Sequence, residues 1–432
     1  MSVHIDVLNT DLLKYIFGFL EDKQLFVIEV VNKKWQRCVR QLMARKTALK
    51  RLDYYSMKFT TGSWRWQLII DNNNIDILNN ILTKCPNIKH LNLFNTKVTG
   101  NNNLLSIAKL CIKLESINLT DSKIDVSEDE MDEFGKLIGP RLIKFYSNID
   151  NHNYYFNLAL FKHFKNIEEI RINKLTVEQT ELFYILNNQC KNLKVLEWKT
   201  IEQNINYQNE DMIMVMKRIK HLIIDLAIIS RFKFELDNLT ELTIFGSYLD
   251  DEINVKRFVN VTKLNVKLLS RSQFEFISKI KFPKLDYVNI IEPNNPFVII
   301  PFINQINYIK SFEYLGHYLD QSIISQSNHL TNFVWKTVII DSDSFEHLYE
   351  TFENLLQHKS LQNITFEIND SRLKIDNQFY ENLIILCNQR PNTKIIVRIF
   401  KSYETNQKFI DYKKLFEKTK YLHKLNMFWE FS

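Results

Sequence analysis

The sequence predicts an α/β fold in which a short helical N-terminal domain precedes a solenoid with a parallel sheet on its concave side. Three observations carry this prediction: a recurring strand pattern, a regular spacing between its occurrences, and an N-terminal segment of different, helical character. The 432 residues are 45% hydrophobic and 25% charged, which is ordinary for a globular protein.

The recurring pattern has the frame apolar-x-x-apolar-x-apolar. It occurs as IKHLNL at residue 88 and returns at residues 114, 142, 167, 193, 219, 239, 261, 285, 309, 330 and 361, with further units expected near 49, 393 and 422. A repeat of this period cannot bury its apolar face alone and is stable only by stacking on its neighbours. The frame and spacing resemble leucine-rich repeats, in which each unit contributes one parallel strand.

The framed positions predict the core. We expect the following side chains to be buried: Leu91, Leu93, Ile117, Leu119, Ile170, Ile172, Leu196, Leu222, Leu242, Leu264 and Ile364. One framed position is polar, Ser147 in the unit at 142. Units at 219, 239 and 309 are short, which predicts that they return through a helical turn or extended chain.

Cysteines precede three of the strands. Cys85, Cys111 and Cys190 each lie three residues before the first framed position, as in the cysteine-containing subtype of leucine-rich repeats. No paired Cys-x-x-Cys spacing indicates a metal site, so we expect buried thiols that act as compact hydrophobes. Five widely spaced cysteines favour a reducing compartment, and hence the cytoplasm or nucleus.

Two charged segments stand out. The acidic run DVSEDEMDEF at 125–134 predicts a solvated insertion. The basic run that begins KKWQRCVRQ at 33 fits either a nucleic-acid-binding patch or the solvent face of a helix whose other face carries Trp35, Val39 and Leu42. We favour the second interpretation.

The N-terminal segment VLNTDLLKYIFGFLEDKQLFVIEVVNKKW, residues 7–35, belongs to a domain of three predicted short helices, the first of them apolar almost all round. A helix of that kind must be buried on every side. The segment resembles an F-box through Leu8, Asp11, Leu12, Leu13, Ile16, Phe17, Leu20, Leu25, Val31, Lys33, Lys34 and Trp35. Asn9 replaces the usual proline and can still cap a helix; Asn32 replaces the usual cysteine.

This resemblance implies a partner. An F-box docks on the Skp-type adaptor of a cullin–RING ubiquitin ligase, while the repeats bind a protein substrate. The adaptor-binding residues implied are Leu8, Leu12, Leu13, Ile16, Phe17, Leu20, Leu25, Val31 and Trp35. The alternative is that Leu12, Ile16 and Leu20 pack against the first repeats, with Trp64 and Trp66 contributing to the cover.

The predicted domains are an F-box at 1–45, a linker with the opening unit of the solenoid at 46–80, and a leucine-rich-repeat domain with a C-terminal cap at 81–432. No run of apolar residues predicts a membrane span, and no nucleotide-binding, metal or hydrolase motif occurs. We therefore predict a non-catalytic substrate receptor without a cofactor or metal. The alternative is a repeat scaffold that does not join a ligase, and nucleic acid is not expected as a partner.

The third, fifth and seventh positions of each framed unit point away from the core. This outward face is the predicted substrate surface, because neighbouring strands present one continuous rigid surface there. Its candidate contact residues are Phe94, Arg171, Lys199, Phe245, Lys263 and Lys267. Each phenylalanine is either an anchor for a substrate or is covered by a neighbouring strand or by the C-terminal MFWEFS.

Overall fold

The structure is a computed structural model, which describes residues 10–17, 33–45, 48–49, 68–70, 79, 82–99, 102–149, 154–175, 180–200, 209–246, 258–267, 277, 279–291, 309–316, 329–339, 351, 354–355, 358–370, 385, 389, 393–401 and 425–431. The chain forms two compact units, Met1–Ile219 and Lys220–Ser432. Each unit is described separately below.

The first unit alternates strands with helices. Its helices are Thr10–Phe17, Lys33–Arg45, Asn103–Leu110, Glu128–Ile138, Tyr154–Phe161, Thr180–Gln189 and Glu210–Arg218. Its strands are β1 (Ala48–Leu49), β2 (Leu68–Ile70), β3 (His90–Asn92), β4 (Thr96–Thr99), β5 (Ser116–Leu119), β6 (Lys123–Asp125), β7 (Lys144–Ile149), β8 (Glu169–Leu175) and β9 (Val195–Thr200).

Two parallel sheets follow from these strands. The larger has the order β1-β3-β5-β7-β8-β9, and the smaller has the order β2-β4-β6. Every neighbouring pair is parallel. Since successive repeats place their strands side by side in chain order, the predicted stacking of repeat units is confirmed for this unit.

The second unit continues the same pattern with fewer described helices. Its strands are β10 (His221–Asp225), β11 (Glu241–Phe245), β12 (Lys263–Lys267), β13 (Tyr287–Ile291), β14 (Ser311–Leu315), β15 (Asn332–Ile339), β16 (Asn363–Asp370), β17 (Lys394–Lys401) and β18 (Leu425–Phe431). They pair in parallel and in chain order. The helix Leu226–Ser230 after β10 has five residues, as predicted for the short unit at 219.

Three strands lie where the sequence predicted further repeat units. These strands are β1, β17 and β18, and the predicted units lie near residues 49, 393 and 422. The C-terminal MFWEF belongs to β18, which pairs with β17, so its backbone extends the sheet.

The framed positions form the core, as predicted. All eleven aliphatic residues named for the core are buried, each with at most 2% of its surface exposed. Cys85, Cys111 and Cys190 are completely buried. Burial raises the pKa of the Cys111 thiol to about 11 and that of Cys190 to about 12, so both thiols stay protonated and pack as apolar groups.

The polar framed residue, Ser147, lies at an irregularity of the sheet. It is buried, and its hydroxyl is 3.1 Å from the carbonyl oxygen of Asn148. The pairing of β7 with β8 shifts register directly after it, between Ser147 and Ile149. The serine therefore satisfies its hydroxyl locally where the regular ladder is interrupted.

The acidic segment at 125–134 is not the solvated insertion that its charge suggested. Residues Glu128–Ile138 form a helix capped by Ser127, and Met131, Phe134 and Ile138 are buried. The apolar residues recur at helical spacing within the acidic run, so the segment buries one face, and Glu128, Asp129 and Glu133 are exposed.

One acid of that helix has a structural role. Glu130 is buried, and its carboxylate accepts hydrogen bonds from the backbone N–H groups of Asn102 and Leu104 at 2.9 and 3.2 Å. These groups begin the helix Asn103–Leu110, whose own N-cap residue makes no side-chain cap. The carboxylate thus caps the helix of the preceding repeat.

Asparagines three residues before two of the strands tie successive repeats together. The amide of Asn166 donates to the carbonyl of Pro140 at 2.6 Å, and that of Asn260 donates to the carbonyl of Asp237 at 2.7 Å. Each bond joins one repeat to the repeat before it, which satisfies backbone groups that the turns leave without a partner.

Candidate functional site

The two described N-terminal helices pack through their apolar faces. Leu13 and Phe17 of the first helix are buried, as are Val39 and Met43 of the helix Lys33–Arg45. The Phe17 and Trp35 rings meet edge-to-face, with centroids 5.2 Å apart, a favoured aromatic arrangement. The sulfur of Cys38, also buried, lies 3.7 Å from the carbonyl oxygen of Thr10.

The first helix is not buried on every side. Leu12 is 44% exposed and Tyr15 is 67% exposed, while Ile16 is half-buried. These three residues follow the spacing i, i+3, i+4 and therefore share one face. We call this face, Leu12 with Tyr15 and Ile16, the N-terminal apolar face.

The predicted adaptor-binding residues thus divide into three groups. Leu12 and Ile16 lie on the N-terminal apolar face. Leu13, Phe17 and Trp35 lie at the packing between the two helices and support that face from behind. Leu8, Leu20, Leu25 and Val31, and with them the predicted second helix, lie outside the described residues, as do Trp64 and Trp66.

Comparison with known proteins bears on this segment. Residues 5–46 match the family model of the F-box domain. The N-terminal segment is an F-box. The match covers both helices of the described pair, and parallel strands follow it in chain order within each compact unit.

No protein of curated function matches the sequence significantly. Among solved structures, the chain is similar to one in "Crystal structure of Rad7 and Elc1 complex in yeast", with 14% identity, 90% of this chain and 88% of that chain covered, and a TM-score of 0.35. The F-box match therefore identifies the N-terminal domain and does not extend to the repeats.

The outward face of the first unit carries a connected set of charges on β7, β8 and β9. Glu169 accepts hydrogen bonds from Tyr146 at 3.1 Å and from Arg171 at 2.7 Å, and Lys144 lies 2.9 Å away. Arg171 also lies 3.6 Å from Glu197, which pairs with Lys199 at 2.7 Å. We call this set of six residues the outward charge network.

Burial governs the electrostatics of this network. Glu169 and Glu197 have only 6% and 5% of their surface exposed. Burial raises the pKa of Glu169, but the hydrogen bond from Lys144 and the charge of Arg171 outweigh it and hold that pKa below its ordinary value. Burial, together with the nearby Glu169 carboxylate, raises the pKa of Tyr146 to about 12, so the phenol stays protonated.

This pairing changes the interpretation of two predicted substrate contacts. Arg171 and Lys199 were candidates for binding an acidic partner, but both are committed to buried carboxylates of the same face. Arg171 also lies over the Tyr146 ring, 5.3 Å from its centroid. An acidic ligand would have to compete with these intramolecular partners. Phe94, in contrast, is 47% exposed.

The outward face of the second unit has a different charge arrangement. Lys336 lies 2.7 Å from Glu313 and 3.4 Å from Glu367, so it is paired on both sides. The Nζ of Lys267 lies over the Phe245 ring, 5.3 Å from its centroid. Lys263 is exposed on the same strand.

Tyr146, which completes the outward charge network, was not among the sequence-based candidates. The sequence feature that could have identified it is its place at the fifth position of the unit at 142. In the structure, its register partner on β8 is Arg171. Sequence reasoning within one repeat cannot identify contacts between repeats, because these depend on the register of adjacent strands.

The described part of the chain contains no group of three or more His, Cys, Asp or Glu residues placed to hold a metal ion. Among the same residues, no helix is long and apolar enough to cross a membrane.

Proposed function

We propose that this chain is the substrate-recognition subunit of a cullin–RING ubiquitin ligase. Its F-box would dock on a Skp-type adaptor, and its repeats would hold a protein substrate. The observation that carries the proposal is the F-box at residues 5–46, on whose first helix Leu12 and Tyr15 are exposed.

The packing of the F-box supports the docking role. The inner face of the first helix is committed to the helix Lys33–Arg45 through Leu13 and Phe17. Leu12 and Tyr15 of the N-terminal apolar face are exposed, and Ile16 is half-buried. Interfaces commonly concentrate their binding energy in a few such apolar and aromatic side chains. Docking of the adaptor would remove this face from water.

A substrate receptor of this kind needs no catalytic residue of its own. Its contribution is to raise the effective concentration of a substrate lysine next to the charged conjugating enzyme. Parallel strands suit that role, because the neighbouring strands of each unit present a continuous surface to a substrate. As part of this proposal we place the chain in the cytoplasm or nucleus, which a fluorescent fusion expressed in cells would test.

The test is co-purification of the full chain with a recombinant Skp-type adaptor. We expect both proteins to elute together in size-exclusion chromatography, and the complex to bind a cullin–RING module added afterwards. Separate elution of the two proteins at micromolar concentrations would contradict the proposal and favour a repeat scaffold outside a ligase.

A further inference from the structure

Two lysines of β12 differ from the other cations described above on the outward faces. Lys144, Lys199 and Lys336 each lie within 3 Å of a carboxylate. Among the residues that the structure describes, no carboxylate lies within ion-pair distance of Lys263 or Lys267. A cation next to a protein surface, without an acid to neutralise it, is available to an anionic ligand.

The strand register fixes where these two lysines lie. On the β11 side, the register partner of Lys263 is Glu241 and that of Lys267 is Phe245. On the β13 side, the register partner of Lys263 is Tyr287 and that of Lys267 is Ile291. Glu241, the acid in register with Lys263, has its carboxylate 3.7 Å from the Nε2 of His221.

The surroundings of Lys267 are apolar on both sides. It lies between Phe245 and Ile291 in the strand ladder, and both are half-buried. Its ammonium group lies over the Phe245 ring, which orients the cation at modest cost. Low local polarity strengthens the attraction of such a cation for an anion.

Between the lysines lies an amide. Asn265 occupies the fifth position of the same unit and donates from Nδ2 to the Thr243 hydroxyl at 3.2 Å. Its register partner, Asn289, has a buried Oδ1 with no hydrogen-bond partner among the described residues. The surface therefore has cations at its two ends, polar amides in its centre, and apolar side chains beside Lys267.

From this arrangement we propose that Lys263 and Lys267 bind an acidic segment of the substrate, in which an apolar side chain lies next to carboxylate or phosphate groups. The proposal rests on the proposed function, because it identifies the substrate class for the same repeats. The anionic groups pair with the two lysines, and the apolar side chain packs on Phe245 and Ile291. Arg171 and Lys199 are excluded from this role because buried carboxylates hold them.

The test uses the full chain and three fluorescent peptides that differ in one feature. The first has a leucine next to two aspartates, the second replaces the aspartates with asparagines, and the third replaces them with phosphoserines. Fluorescence anisotropy should show binding of the aspartate or phosphoserine peptide at least about tenfold tighter than that of the asparagine peptide. The two charged peptides distinguish a carboxylate ligand from a phosphorylated one.

The matched variants remove two positive charges in different places. Lys263→Ala with Lys267→Ala should weaken binding of the preferred charged peptide about tenfold or more, and arginine at both positions should restore most of it. Lys310→Ala with Lys394→Ala removes two exposed lysines of the second compact unit, Lys220–Ser432. This variant should leave binding unchanged. Added salt should weaken binding to the wild-type chain.

Two results would overturn the proposal: equal affinity for the charged and asparagine peptides, or equal loss in the two double variants. The same proteins are then tested for co-purification with the adaptor. The lysine variants should keep the adaptor even if they lose the peptide, so failure of this proposal is distinguishable from failure of the proposed function.

Discussion

The Nη2 atom of Arg141 donates a 2.7 Å hydrogen bond to the carbonyl oxygen of Ala108, which lies 33 positions earlier in the chain. Ala108 belongs to the last turn of the helix Asn103–Leu110, where carbonyl groups have no partner within the helix. Arg218 repeats this relationship, since its Nη2 donates to the carbonyl of Leu186 at 2.6 Å. An arginine of one repeat thus caps the helix of the repeat before it.

Replacing Arg141 should therefore destabilise the array. Arg141→Met keeps most of the side-chain length but removes the donor, and we expect a loss of about 1–2 kcal/mol. The measurement is the midpoint of thermal unfolding followed by circular dichroism. The control is Lys109→Met, which removes an exposed cation from the same helix. Equal midpoints for the two variants would show that the cap contributes nothing.

A second prediction concerns the core that the repeat frame defines. Leu196 on β9 is 1% exposed, and its register partner on β8 is the buried Ile170. Leu196→Ala should cost about 2–5 kcal/mol, because truncation loses apolar contact and leaves a cavity. Denaturant unfolding monitors the loss. Ile112→Ala, at a position 60% exposed, should change stability little, and a similar effect at both sites would contradict the repeat assignment.

The sequence predicted the fold better than the surface because burial and pairing leave different traces. A framed aliphatic such as Leu196 is apolar whatever its neighbours are, so a single repeat identifies it as core. The hydrogen bonds of Glu130 and the contacts of Arg171 with Tyr146 and Glu197 depend on residues one repeat away, which no local pattern contains. The acidic run around Glu130 forms a helix because its apolar residues recur at helical spacing, which decides its structure although its charge suggests a solvated insertion.

The F-box shows the same division. Its apolar residues were all expected to be buried, but the sequence could not show which of them the chain itself would cover. The structure assigns Leu13 and Phe17 to the packing with the second described helix, and it leaves Leu12 exposed. That division provides a sharper mutational test than the motif alone.

The third prediction uses the N-terminal apolar face. Leu12→Ala with Ile16→Ala should abolish co-purification with the Skp-type adaptor, because the pair removes large apolar contacts from the proposed interface. The folded repeats should be retained, since Leu12 is exposed and Ile16 only half-buried. Circular dichroism and size-exclusion chromatography check the fold of the variant.

The matched control is Ile112→Ala with Leu137→Ala, the same chemical change at two exposed positions of the repeats. It should keep the adaptor in full yield. If the F-box variant also co-purifies in full yield, the adaptor does not dock on this face.

The last prediction follows from the buried carboxylate of the outward charge network. The pKa of Glu169 in the folded chain lies below its ordinary value of 4.5, because Lys144 and Arg171 outweigh the effect of burial. Its contribution to stability is therefore present above the ordinary value and is lost as the pH falls through the folded pKa. Glu169→Gln removes this titration, so the variant should be less stable than the wild type at neutral pH. The difference in stability should shrink as the pH falls below 4.5.

Glu168→Gln is the control, since Glu168 pairs with Lys194 at 2.7 Å while both side chains are about half exposed, and exposed pairs contribute little. Thermal midpoints across this pH range measure both variants. A Glu169→Gln difference that stays constant on acidification would show that the ion pairs to Lys144 and Arg171 do not stabilise the folded sheet.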